Sequence, residues 1–137
     1  MLRRLPIRSK AVVYTRPNAA VNAMKVGQPG HYTIYISGVT VGRDWKSKAN
    51  VKEDATAQAT QVFGKIQEVL AEAGATMSDV VKIHMFLTNI EETLQEVISV
   101  RRQFFPGIVP PTTAVEVRRL ASPQCLMEIE VTAVTDR

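Results

Sequence analysis

Two carboxylates, Glu128 and Glu130, stand at alternate positions near the end of this chain, and Lys82 and His84 stand at the same spacing in an earlier apolar stretch. Alternation of period two puts both members of each pair on one face of a strand. A carboxylate on such a face can order a water or take its proton, and partial burial raises its pKa toward useful values. Other chemistries are excluded by what is missing. There is no G-x-x-x-x-G-K-[ST], no G-x-G-x-x-G after a strand and no G-x-S-x-G. His31 and His84 lie 53 residues apart with no paired cysteine, which argues against a zinc site. Cys125 is the single cysteine. It excludes an internal disulfide and points to a reducing compartment, with a cytoplasmic location as the default. As a nucleophile it would need a base, and none is near in sequence, so a buried small hydrophobe is the better reading.

These residues belong to a chain of 137 residues, a length that suits one domain, 1–137. No apolar run approaches the ~18 residues of a membrane span. The net charge of +4 is uneven: residues 1–43 hold seven basic groups and no acid, while residues 44–137 hold ten basic and thirteen acidic groups. A basic first third can mean nucleic acid, an anionic substrate, a targeting peptide or solubility. Pro6 and Arg8 interrupt the apolar start, and Ser9 is the only serine there, so neither a secretory nor a mitochondrial leader is expected.

The elements that must carry the charged residues are legible in outline. Ala11 to Tyr14 reads as a first strand, and residues 15–31 as an irregular stretch broken by Pro17, Asn18, Asn22, Gly27, Pro29 and Gly30. Tyr32 to Ser37, ending in Gly38, is a strand. Asn50 with Glu53 forms a capping box for a helix whose apolar residues recur at steps of three and four from Ala55 to Ala73, closed by Gly74. A strand follows from 79 to 87. A second helix starts near Asn89, with Glu92 as box partner, and ends at Pro106-Gly107. Strands at 112–117 and 126–134 complete the chain. This order implies an α/β (α+β) two-layer sandwich, with two helices on one face of a mixed sheet. In the last strand Met127, Ile129, Val131 and Ala133 suit the helix side, leaving Leu126, Glu128, Glu130 and Thr132 opposite. The strand at 79–87 reads likewise, with Val81, Ile83, Met85 and Leu87 opposing Val80, Lys82, His84 and Phe86. A face mixing Lys, His and Glu with Leu and Phe is neither a dry core nor an ordinary solvent face. It suits contact with another subunit.

The run Pro110-Pro111-Thr112-Thr113-Ala114-Val115-Glu116-Val117, then Leu120-Ala121-Ser122-Pro123 and Leu126-Met127-Glu128-Ile129-Glu130, resembles the C-terminal signature of the RidA/YjgF family, once labelled endoribonuclease L-PSP. Three further blocks agree in order: Tyr35-Ile36-Ser37-Gly38, Leu70 to Ala75, and Asp79-Val80-Val81-Lys82 leading to Phe86-Leu87-Thr88. The resemblance spans about residues 30–135. It implies a chorismate-mutase-like fold, a homotrimer whose strands line a central barrel, and ligand clefts between neighbouring subunits. It also implies hydrolysis of enamines and imines, such as 2-aminoacrylate and 2-iminobutanoate, to a 2-keto acid and ammonia without a metal or cofactor.

In the family pattern an Arg two residues after the first signature Pro grips the substrate carboxylate, and a Glu on the last strand orients water. Those positions fall on Thr112 and Glu128. The first is a departure: either the substrate lacks that carboxylate or another cation, such as Arg16, Arg43, Arg118 or Arg119, replaces the guanidinium. The resemblance further places Ser37, Gly38, Glu91, Thr113, Ala114, Tyr14 and Arg16 about the cleft. Plainer readings stand beside these. Glu128 can pair with Lys82 or an Arg at a subunit interface; Ser37 and Gly38 can simply end a strand; Glu91 can favour a helix dipole. His84 reads better as a hydrogen-bonded interface histidine than as a catalytic one. Three functions remain open: an imine or enamine deaminase of altered specificity, a trimer that binds a small molecule without chemistry, and RNA binding or cleavage. The last is the weakest, because no stacking platform or RNP-like motif is present.

Overall fold

The computed structural model describes residues 1–12, 20–46 and 50–137. Its elements are β1 (Arg3–Ile7), β2 (Ala23–Gln28), β3 (His31–Val39), α1 (Val51–Glu72), a 3-10 turn (Met77–Asp79), β4 (Val80–Leu87), α2 (Ile90–Phe104), β5 (Thr112–Glu116) and β6 (Met127–Thr135). The six strands form one sheet in the order β1-β2-β3-β6-β4-β5. Every pairing is antiparallel except β4 with β5. Parallel neighbours need a crossover, and α2 supplies it. Both helices pack on one face, where Phe63 of α1 stacks on Phe104 at 5.5 Å and meets Phe105 edge-on at 6.3 Å. The expected two-layer α+β sandwich is the observed one.

The first strands differ from the sequence reading. Ala11 and Val12 form a bend, and Val13 and Tyr14 lie outside the described residues. The first strand is instead Arg3–Ile7, which runs through Pro6. Proline is tolerated there because β1 is an edge strand, where one side of the backbone has no ladder to join. β2 occupies part of the stretch expected to be irregular. Its breakers are the turn itself: Gln28 pairs with His31 across Pro29-Gly30, and Gly30 has φ +89°. Proline followed by a residue of positive φ is the chemistry of a type II turn, so these residues build a hairpin rather than break a strand.

α1 ends as its sequence implies, and begins on the Asn50 half of the expected box. Asn50 Oδ1 accepts the Glu53 N–H at 2.9 Å. At the other end, Gly74 has φ +80°, with Ala75 N–H bonded to the Leu70 carbonyl at 2.8 Å and Gly74 N–H to that of Ala71 at 3.0 Å. That pair of bonds is the Schellman closure. α2 begins differently. Asn89 makes no side-chain cap; Glu116, at the end of β5, accepts the Ile90 N–H at 3.2 Å instead. Glu92 is therefore not a box partner. A tertiary carboxylate satisfies the orphan donor.

Two irregularities decide which side chains face where. Val80 opposes Ala133 while Lys82 opposes Thr132, so Val81 is an extra residue in β4. Val80 is thereby buried and Val81 is 45% exposed, the reverse of simple alternation at the strand's start. From Lys82 onward the expected faces hold: Ile83, Met85 and Leu87 are buried, and Lys82, His84 and Phe86 lie on the open face. In β3, Ile36 opposes Val131 and Val39 opposes Ile129, so Ser37 and Gly38 together face Glu130. Such bulges bend a strand and re-aim its side chains.

Candidate functional site

Glu128 sits on the open face of β6 beside the β3 bulge. β6 is anchored from behind by Met127, Ile129, Val131 and Ala133, all buried against the helices. Gln58, almost wholly buried on α1, fixes the approach to it: its Oε1 accepts the Leu126 N–H at 2.9 Å, and its Nε2 donates to the Gln124 carbonyl at 2.8 Å. No periodic signal marks Gln58 as a positioning residue; only its burial does.

The carboxylate of Glu128 lies against Gly38. A Cβ at position 38 would stand 2.6 Å from both Cδ and Oε1 of Glu128, and 2.7 Å from Cγ. The bulge thus presents a notch that only the absent side chain leaves open. Burial there pushes the Glu128 carboxyl above its ordinary value, and the charge of Glu130 pushes it further in the same direction. A carboxylate with raised affinity for protons, held on a strand and partly open to the face, can orient a water and take its proton.

The other family-implied positions disperse. Ser37 lies in the same bulge, its Oγ donating to the Asn22 carbonyl at 3.1 Å. Thr112 pairs with Ile83, and Ala114 with Met85, which places both on the helix side of β5. Thr112 Oγ1 donates to the Pro110 carbonyl at 2.9 Å. Thr113 is on the open face. Within one chain, then, Thr112 and Glu128 lie two strands apart and on opposite faces. Glu91 lies in the exposed first turn of α2, in a groove shared with Asn50, Val51, Lys52 and Glu92. Tyr14 and Arg16 lie outside the described residues. Arg43, Arg118 and Arg119 are exposed in connecting segments.

A second feature of the open face escaped the sequence reading. A cleft of about 390 Å³ is lined by Asn22, Met24, Tyr35, Ser37, Lys82, His84, Glu130 and Thr132, among others. Lys82 Nζ donates to Thr113 Oγ1 at 2.8 Å. His84 Nδ1 stands 3.5 Å from Glu130 Oε1, and its ring stacks on Phe86 at 4.9 Å. The period-two pairs were visible in sequence. That β6 lies between β3 and β4, bringing all three together, was not.

Among the described residues, no group of three or more His, Cys, Asp or Glu side chains is placed to hold a metal ion. Cys125 is buried, its thiol pointing to the Val41 carbonyl at 3.6 Å, and burial raises its pKa. It is the inert, small hydrophobe its sequence context suggested. Among the described residues, no helix is long and apolar enough to cross a membrane.

Comparison with known proteins agrees with this architecture. Residues 15–135 match the family model described as Endoribonuclease L-PSP. The chain is 34% identical over 109 residues to a RutC family protein of Sulfurisphaera tokodaii, covering 80% of this chain and 82% of that one. The chain belongs to the RidA/YjgF family. Another relative in the family, from Dermatophagoides farinae, bears the name 2-iminobutanoate/2-iminopropanoate deaminase and is 30% identical over 114 residues, 83% of this chain and 84% of that one. The fold agrees as well. A crystal structure of a YjgF-family protein from Mycobacterium tuberculosis superposes with a TM-score of 0.72 at 30% identity, over 97% of this chain and all of that one.

Proposed function

We propose that this chain, acting as a single RidA-like domain over residues 1–137, is a cytoplasmic hydrolase of small enamines, imines or related C–N substrates. Its water site is Glu128. The observation that carries the reading is the Glu128 carboxylate seated in the Gly38 notch with its proton affinity raised by burial. Water adds to the imine carbon as Glu128 takes its proton and passes it to the nitrogen, giving a carbinolamine. The carbinolamine hydroxyl proton then moves to the nitrogen by way of the same carboxylate, and ammonia leaves as the carbonyl forms. This hydrolysis is redox-neutral and consumes only water.

The rest of the cleft comes from neighbouring copies in a homotrimer assembled through the open face. Exposed Tyr35 and Val115, with half-buried Phe86, give that face an apolar component that favours such contact. The dispersal of Thr112, Thr113 and Ala114 away from Glu128 of the same chain supports a cleft completed by a second copy. Thr112 alters the substrate preference. Charged hydrogen bonds contribute about 1.5–3 kcal/mol, against about 0.5–1.5 for a neutral one. A hydroxyl in place of a guanidinium therefore weakens the grip on a 2-imino acid by roughly 10- to 100-fold. A binding trimer without chemistry is the alternative that Thr112 favours.

Ammonia release from 2-aminoacrylate generated in situ separates these readings. Thr112→Arg should raise turnover of this carboxylate-bearing substrate above wild type. Glu128→Gln should abolish it while leaving the oligomer assembled. Turnover surviving in Glu128→Gln removes Glu128 from its role, and inactivity of both wild type and Thr112→Arg favours the binding trimer. A steep loss of RNA affinity with salt would instead point to a phosphate-tracking surface.

A further inference from the structure

The bulge that opens the Gly38 notch is held from the β2 side. Between Ile36 and Val39 the β3–β6 register shifts, so the ladder with β6 lapses at Ser37 and Gly38. On the other edge of β3 the ladder with β2 ends with Ala23 opposite Ile36, and Asn22 continues it. The Asn22 carbonyl accepts the Ser37 N–H at 3.0 Å and the Ser37 Oγ–H at 3.1 Å, one donor for each lone pair. Residue 22 therefore fixes the residue next to the notch.

Asn22 is in turn fixed by the segment that leaves β1. Only 4% exposed, it donates its N–H to the Ile7 carbonyl at 3.0 Å. Its Oδ1 accepts the Ser9 N–H at 2.7 Å, and its Nδ2 donates to the Val12 carbonyl at 2.8 Å. Ser9 is itself buried between exposed Arg8 and Lys10, and its Oγ accepts the Ala11 N–H at 3.0 Å. An amide both accepts and donates, which these two side-chain bonds require together. With both ends of the amide engaged, the side chain serves the frame and not a ligand. We propose that Asn22 is a positioning residue for Glu128, tying the segment from Ile7 to Val12 to the β3 bulge and thereby setting the notch in which the carboxylate sits.

The inference deepens the hydrolytic reading and rests on it for its effect on turnover. Each link in the relay is short: Ser9 and Val12 hold the amide, the same residue's carbonyl holds Ser37, and Gly38 is next in the chain. Gly38 in turn leaves so little room that an added Cβ would stand 2.6 Å from the Glu128 carboxylate. Without the amide, residue 22 keeps only its backbone bond to Ile7 on that side. The Ser9 N–H and the Val12 carbonyl lose their partners, and buried groups so stranded draw the segment out toward water. The carbonyl then shifts, the bulge follows, and the carboxylate loses both its seat and part of its burial. A displacement of about 1 Å at a reacting group costs on the order of 100-fold in rate.

Two measurements on the full-length protein test the assignment in Asn22→Ala: carbon-13 NMR titration of the glutamate carboxyls, with the Glu128 signal identified by its loss in Glu128→Gln, and ammonia release from 2-aminoacrylate generated in situ. The Glu128 carboxyl should titrate nearer the ordinary carboxylate value than in wild type, because burial is what raises it. Turnover should fall by roughly 10- to 100-fold in kcat with KM little changed. Val26→Ala trims β2 between Arg4 and Thr33 without touching the Asn22 bonds, and should leave both readouts as in wild type. Circular dichroism and sedimentation are read first; if Asn22→Ala does not fold, Asn22→Ser, whose single hydroxyl cannot serve both Ser9 and Val12, carries the test. A Glu128 titration unchanged in the folded variant overturns the proposal, as does an equal change in Val26→Ala or a rise in KM with kcat held. If wild type releases no ammonia the hydrolytic reading fails, and the titration alone decides whether Asn22 positions Glu128.

Discussion

The Gly38 notch makes a demanding prediction, because adding one methyl group should damage function far more than folding. Gly38 has no positive φ, so alanine meets no backbone strain there. Its methyl would instead stand 2.6 Å from the Glu128 carboxylate. Restoring an ordinary contact of about 3.5 Å requires the carboxylate to retreat by about 1 Å. An off-rotamer side chain costs about 0.5–1.5 kcal/mol. Replacing glycine returns about 0.4–1 kcal/mol by restricting the unfolded chain. Gly38→Ala should therefore change stability by less than about 1 kcal/mol, read by urea unfolding. A displacement of about 1 Å at a reacting group, in contrast, costs on the order of 100-fold in rate. Ammonia release should thus show kcat falling by about that factor, with KM little changed. A kcat within twofold of wild type would mean that the notch does not position the carboxylate. A stability loss above about 3 kcal/mol would show instead that position 38 is a packing site.

Three further perturbations probe the charge and the framework. Glu128 has a raised folded-state pKa, so the fold favours its neutral form. The associated stability is present below the ordinary carboxylate pKa of about 4.3 and is lost as pH rises through the raised folded value. Glu128→Gln should accordingly gain stability relative to wild type between about pH 4 and neutrality, and a pH-independent difference in urea midpoints would refute this. The β4 bulge predicts that Val80→Asp costs about 3 kcal/mol or more while Val81→Asp costs under about 1, measured by thermal unfolding; the reverse order would restore simple alternation. Buried Lys25 donates to the Ala73 carbonyl at 2.9 Å and the Arg137 carbonyl at 2.5 Å, and lies 4.5 Å from the Tyr32 ring centroid. Lys25→Met should cost about 2–3 kcal/mol, and a loss under about 0.5 would show these contacts to be dispensable.

Local chemistry reached the sequence directly. The step of three and four in α1, the Asn50 cap, the Gly74 closure and the alternation in β6 are short-range signals, each dictated by backbone geometry over a few residues. The ordered motif blocks reached further, to family and fold. Other features could not be read along the chain. β2 was hidden because Pro29 and Gly30 act as breakers or as a hairpin turn according to whether the flanking runs pair. The cap of α2 was misread because Glu116, 26 residues away, supplies the acceptor. Val80 and Val81 are the same residue type, so only pairing with β6 decides which is buried.

The seats of Glu128 and of the Lys82–His84–Glu130 group show the division most clearly. Residue type and period two determine that carboxylates, imidazole and ammonium stand on sheet faces. The tertiary structure decides that β6 lies between β3 and β4, that a bulge at Ser37 and Gly38 opens a notch for Glu128, and that Lys82 reaches Thr113 while His84 stands beside Glu130. The physical reason is that strand order and register are settled by burying Met127, Ile129, Val131 and Ala133 against two helices. That energy is summed over the whole core, and no single segment of the sequence carries it.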